Sequence, residues 1–323
     1  MPGSLCRLKM FWQRYGYWIK LAVSGALLVL LVVKVDTKLL MQSVRSLPWW
    51  YMPVAAWMYA LAQTIATIRW WLISPGTRLG RLIYVTFSTQ HLLFLIPSSL
   101  TTDVVRVVES QSSEHDSLSR IAGVVIDKVI GLSILTVLFG IAVWLDNDVM
   151  VPKTVQQPLA ISAIVLGLIP MLVINLQPSK TVVSRIVLNL YRVFPSRTRA
   201  RLGLVDDITQ SLLTTLSYPI RTLSNTLLAV LGQVLSAATY LLFGLVFGFS
   251  ITIEQCLFVS TAAQLFALLP VGIAGIGVRD ASLVAMLASF GISPSVAFAA
   301  SISGYPVTVA FAAGAWVMSM RRR

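Results

Sequence analysis

Two segments far apart in the chain bring together residue types that can hold an anion in an apolar setting. The first runs Leu95-Ile96-Pro97-Ser98-Ser99-Leu100-Thr101-Thr102-Asp103-Val104-Val105-Arg106, and the second Leu268-Leu269-Pro270-Val271-Gly272-Ile273-Ala274-Gly275-Ile276-Gly277-Val278-Arg279-Asp280. In both, an arginine stands nine residues after a proline that ends an apolar run. An arginine guanidinium offers a planar fork that matches phosphate or carboxylate oxygens at two points. Ser98, Ser99, Thr101 and Thr102 add hydroxyl donors to the first segment. Gly272, Gly275 and Gly277 let the second approach a ligand with bare backbone, and a helix beginning after either proline would add free N–H groups. The chemistry this predicts is binding of a phosphate-bearing group by Arg106 and Arg279. The alternative is a static lock, Arg106 with Asp103 and Arg279 with Asp280 or Asp127. The two are compatible, because an ion pair that opens when phosphate arrives is a gate.

A second tier of residues could gate or couple such a site: Asp127 and Lys128 near the start of an apolar run, Arg69 late in another, His91 as a proton carrier, and Pro97 and Pro270 as breaks. Each also has a plain structural reading, an interfacial charge or a hydrogen-bonded histidine. Other chemistry finds little support. There is no phosphate-binding loop of the nucleotide-hydrolysing kind, and two histidines, His91 and His115, do not assemble a triad or a histidine phosphatase centre. Asp146-Asn147-Asp148 looks like a metal-holding acidic pair, but no further ligand accompanies it. Cys6 and Cys256 have neither disulfide nor metal spacing, so no cofactor and no metal are expected.

The elements that must position these residues are membrane helices. The chain has 323 residues, 57% hydrophobic and 11% charged, with a mean hydropathy of +0.82, outside the range of soluble domains. Its net charge of +13 sits in short connections between apolar runs, as the positive-inside rule describes, and not in a nucleic-acid-binding face. Six runs meet the length of about 20 apolar residues that a bilayer asks for: Tyr17–Val35, Trp49–Ile73, Ile121–Leu145, Leu159–Leu176, Leu223–Phe249 and Pro294–Met320. Two more, 82–108 and 253–290, are interrupted by the proline segments and read as pairs of half-helices. Arginines and lysines at the N-terminus, at Arg78 and Arg81, through 177–222 and in the tail Arg321-Arg322-Arg323 place those stretches, and both termini, in the cytoplasm.

That charge pattern is consistent if each interrupted region enters and leaves on one face. The predicted fold is then an all-α polytopic protein, one membrane domain over 1–323, with six full transmembrane helices and two re-entrant half-helix hairpins in an inverted-topology repeat. The first repeat is 17–145 with hairpin 82–108, and the second is 159–320 with hairpin 253–290. Ser88-Thr89-Gln90 before Pro97 echoes Ser260-Thr261-Ala262-Ala263-Gln264 before Pro270. Two unrelated proline-kinked spans, giving eight crossings, are the alternative. The 177–222 connection is basic, with Val182, Val183, Ile186 and Leu190 on one helical face; it reads as an amphipathic helix on the membrane surface or as a solvated linker. Gly244-x-x-x-Gly248 is a helix-packing signal.

Pro97, Asp103 and Arg106, Asp127-Lys128, and the run Leu268 to Asp280 resemble the lysylphosphatidylglycerol-synthase transmembrane family, also called flippase-like membrane proteins. The chain departs from the family pattern at Thr101-Thr102, where glycines are usual, at Asp280, often Glu, and at Lys128, often Arg. The resemblance implies a stand-alone member without the soluble transferase domain. It implies a lipid translocator in the cytoplasmic (inner) membrane, not an enzyme, acting on an anionic phosphate lipid such as a phospholipid or a polyprenyl-phosphate-linked sugar. Its partners would be membrane lipids and a lipid-modifying or glycosyltransferase enzyme. The rival readings are a membrane-embedded transferase or phosphatase and an accessory partner of one.

Overall fold

Long apolar runs with few β-branched clusters and well-placed caps make helices here, and among the described residues there is no strand. The computed structural model describes residues 36–73, 78–92, 114–146, 153–175, 218–268 and 277–320, with a few isolated positions that include Val107. In chain order these form α1 (Thr37–Arg45), α2 (Tyr51–Ile73), α3 (Leu79–Ser88), α4 (Glu114–Leu145), α5 (Lys153–Asn175), α6 (Pro219–Phe247), α7 (Ile253–Ala267), α8 (Val278–Ser289), α9 (Pro294–Ile302) and α10 (Tyr305–Met320). The first predicted span, apart from four isolated positions, and residues 177–217 of the basic connection lie outside the described residues, while 218–222 of that connection already belong to the start of α6.

Among the described residues, four helical segments are long and apolar enough to cross a membrane: Ile121–Leu145, Lys153–Asn175, Pro219–Phe247 and Pro294–Met318. The 23 residues of α2 also have spanning length, about 34 Å at 1.5 Å per residue. Its tryptophans, tyrosines, Gln63 and Arg69 lower its hydropathy. On α5, Ile161, Val165, Leu166, Ile169 and Leu172 all point outward, an apolar surface that water would not tolerate but lipid does. The protein is a multi-pass membrane protein.

Local chemistry sets the helix ends. Pro219 opens α6 at a position where a missing N–H costs nothing, and Gly248 closes it in the left-handed region at φ 72°. The Phe249 N–H then donates to the Gly244 carbonyl at 3.0 Å, and a Cβ on Gly244 would lie 2.8 Å from the Phe249 carbonyl oxygen. The Gly244-x-x-x-Gly248 signal is therefore a chain reversal within the molecule, not a face for a second helix. Thr252 and Gln255 form a reciprocal capping box that starts α7.

The last predicted span is two helices, not one. Pro306 lacks the N–H that would reach back to Ile302, so α9 stops and α10 starts anew after Ser303-Gly304. Ser303 turns its hydroxyl to the Tyr51 hydroxyl at 2.6 Å, which ties the break to the start of α2.

Packing is closest between α4 and α5. A Cβ on Gly140 would lie 2.7 Å from the Ala160 carbonyl oxygen, and one on Gly167 2.6 Å from that of Ser133. Small residues let these two backbones touch, as dispersion-driven packing in lipid requires. A second core joins α2, α6, α7, α8 and α9 around Tyr51, Tyr240, Phe243, Val259, Leu283, Leu287 and Phe298. Within it α7 and α8 run side by side in opposite senses, with Phe258 near the start of α7 in edge contact with Phe290 just past the end of α8. A third, small cluster buries Trp70, Leu82 and Val107 together.

Candidate functional site

Gly277 precedes α8 at φ 85°, a backbone state that side chains resist, and this turn sets Arg279 in the first turn of the helix. Arg279 lies deep among α2, α6 and α10, yet its side chain is exposed, because it projects into a cavity of about 240 Å³. A single water needs only about 10–15 Å³ of such space. Its guanidinium is within hydrogen-bonding reach of the Tyr240 hydroxyl on α6. Hydroxyl-bearing residues share the lining: Tyr59 on α2, Ser236 and Thr239 on α6, Tyr305 and Thr308 on α10.

Asp280, the adjacent residue, is only 1% exposed. Its carboxylate accepts from the Ser301 hydroxyl, from the Tyr305 hydroxyl at 2.5 Å and from the Gly277 N–H at 3.0 Å. No close ion pair links it to Arg279, so the static lock foreseen between these neighbours is not made. The reason is helical: adjacent residues point about 100° apart, and Asp280 turns to α9 and α10 while Arg279 turns to the cavity. The Gly277 N–H, expected as a free donor at this helix start, is likewise taken by the helix's own carboxylate.

Asp127 has a different partner from the one proposed for it as a lock on Arg279. It pairs with Arg69 at 2.8 Å, across α2 and α4. The Asn225 amide on α6 donates to the same carboxylate at 3.1 Å and to the Arg69 carbonyl at 2.8 Å. Gly131, one turn beyond Asp127, leaves room for the guanidinium: a Cβ there would stand 3.2 Å from Arg69 Nη2. Three helices are thus pinned by one charge pair and one amide. Asn225 is fully buried, and sequence reading passed over it; an asparagine in an apolar span was the available signal.

A family model for the lysylphosphatidylglycerol synthase TM region matches residues 17–313. The chain belongs to that family. Comparison with curated proteins and with solved structures gave no match.

In this member of the lysylphosphatidylglycerol synthase TM family, the structure brings together Arg279, Asp280 and Gly277, and separately Arg69 and Asp127. Lys128 is exposed. His91, near the end of the described stretch 78–92, has its Nδ1 buried and without a hydrogen-bond partner among the described residues. Pro97, Ser98, Ser99, Thr101, Thr102, Asp103, Arg106, Pro270, Gly272 and Gly275 lie outside the described residues. Val107, next to Arg106, packs with Trp70 on α2, eight residues and about 12 Å along the helix from the last α2 residue that lines the cavity, Ala62.

Tyr240, Tyr305 and Ser301 are functional-site residues that the sequence did not single out. The paired glutamines were visible as an echo and now have partners. Gln90 accepts from the Tyr59 hydroxyl at 3.0 Å, while Gln264 donates to Gln233 at 2.9 Å and to Ser236 at 3.1 Å. Each of these glutamines grips the neighbouring long helix beside the cavity.

Proposed function

We propose that this protein is a flippase-like lipid translocator that moves an anionic, phosphate-bearing lipid across the cytoplasmic membrane. One observation carries the proposal: a cation, Arg279, projects into an internal cavity of a membrane protein without a close carboxylate partner among the described residues. An unpaired charge among apolar helices costs several kcal/mol, so a protein keeps one there for a ligand of opposite sign. Ser236, whose hydroxyl oxygen accepts from Gln264 and keeps its own hydrogen to give, supplies a donor that a phosphate can use beside that charge.

The two interrupted regions act in this proposal as opposed re-entrant hairpins of an inverted repeat, with both termini in the cytoplasm. Three contacts support it. Leu82 and Val107, at either end of the first region, share one small cluster, which a crossing of about 30 Å would not allow. Phe258 meets Phe290 at the ends of the second. The hydrogen-bonded pairs Tyr59/Gln90 and Gln233/Gln264 are each 31 residues apart, one in each half. Alternating access then consists of the two halves rocking about the cavity between α2 and α6.

Replacement of Arg279 by Lys tests the function. Lysine keeps the charge but loses the two-point fork. Translocation of phosphate lipids in proteoliposomes should fall sharply while the melting temperature in detergent is unchanged. Normal translocation by this variant, or product formation by the protein in detergent micelles, would sink the translocator reading.

A further inference from the structure

Beside the polar cavity lies a second, apolar space of about 690 Å³ between α3 and α10, open to the side of the molecule. Gly80, Tyr84 and Phe87 form one wall, and Phe311 and Gly314 belong to the other. Two rings in contact, Phe311 and Tyr59, stand between the two spaces. Phe311 lines the groove and its ring centroid is 4.9 Å from that of Tyr59, which lines the cavity. Phe87 stands on the groove side of the same ring at 6.0 Å.

The two groove glycines, Gly80 and Gly314, differ from those where α4 meets α5. A Cβ on Gly140 or Gly167 would strike a neighbouring backbone oxygen, so close helix contact explains them. A Cβ on Gly80 or Gly314 would meet nothing within 4 Å. Glycine weakens a helix, and here no close contact compensates for it. What these two positions keep is open room between adjacent helices.

Building on the phosphate role of Arg279, we propose that this groove is the tail slot of the transported lipid. The phosphate sits in the cavity, the chain passes Phe311, and the hydrocarbon lies between α3 and α10. The groove is not a site for ordinary surrounding lipid, because its occupancy depends on the head group held next door.

The full chain in phosphatidylcholine nanodiscs tests this, with two probes in separate arms: phosphatidic acid and a polyprenyl phosphate, each carrying a photoreactive diazirine on its chain. In at least one arm, irradiation should label Tyr84, Phe87 or Phe311, and excess unlabelled probe lipid should compete while diacylglycerol should not. Gly314→Leu, which fills the slot, should abolish the competed label, as should Arg279→Gln. Gly80→Leu fills the slot from the opposite wall and should do the same if Gly314→Leu melts early. Groove labelling that persists in Arg279→Gln, or that no phosphate lipid displaces, means bulk lipid fills the groove and overturns the proposal. Translocation that still depends on Arg279 would then leave the translocator reading standing. Loss of that dependence would remove both.

Discussion

Replacing each of two buried arginines by methionine should have opposite consequences. In Arg69→Met, the Asp127 carboxylate loses a guanidinium 2.8 Å away and keeps only the Asn225 amide at 3.1 Å. Breaking a buried ion pair by removing one member costs about 3–5 kcal/mol. The two side chains are 15% and 19% exposed and one donor remains, so the lower end applies, about 2–3 kcal/mol. Adding Asp127→Leu removes the stranded carboxylate and should bring stability back to within about 1 kcal/mol of the parent. Arg279→Met strands no carboxylate, because Asp280 is satisfied by Ser301, Tyr305 and the Gly277 amide. Its stability should stay within about 1 kcal/mol of the parent while translocation is lost. Reversible unfolding in mixed micelles, read beside lipid translocation in proteoliposomes, separates the two effects. Should Arg279→Met unfold as easily as Arg69→Met, or should the Arg69/Asp127 double variant be no better than the single one, the division into a structural pair and a ligand-facing cation is wrong.

Two further outcomes follow from the packing. Gly167→Ala places a Cβ 2.6 Å from the Ser133 carbonyl oxygen and should destabilise by about 1–3 kcal/mol in thermal unfolding, whereas Gly314→Ala, with open space above it, should not. Ser301→Ala and Tyr305→Phe each take one donor from the buried Asp280 carboxylate and should cost about 1–3 kcal/mol. Because Ser301 and Tyr305 both line the cavity, both variants should alter translocation beyond their effect on stability.

Composition and hydropathy by themselves determined that the chain is a helical membrane protein, where most of its helices lie, and that proline and glycine interrupt two apolar regions. Those are properties of local sequence, since the length of an apolar run and the conformational limits of proline hold whatever the run packs against. The family resemblance was legible in the same way, from Leu268 to Asp280 above all, and that stretch holds Gly277 and Arg279, which the structure places at the start of α8. The break between α9 and α10 was also legible in principle, at Ser303-Gly304-Tyr305-Pro306, but an apolar run long enough to cross reads as one helix by hydropathy alone. Tertiary structure alone decided which charges meet. Asp127 is equally near any arginine in a list of residues, and only the rotation of α4 against α2 turns it to Arg69, with Asn225 of α6 on its other side. The helical step of about 100° sends Arg279 to the cavity and Asp280 to Ser301 and Tyr305, and no spacing rule names those partners in advance. The cavity itself belongs to no segment: it is the volume enclosed among α2, α6 and α10, and it exists only once all three are packed.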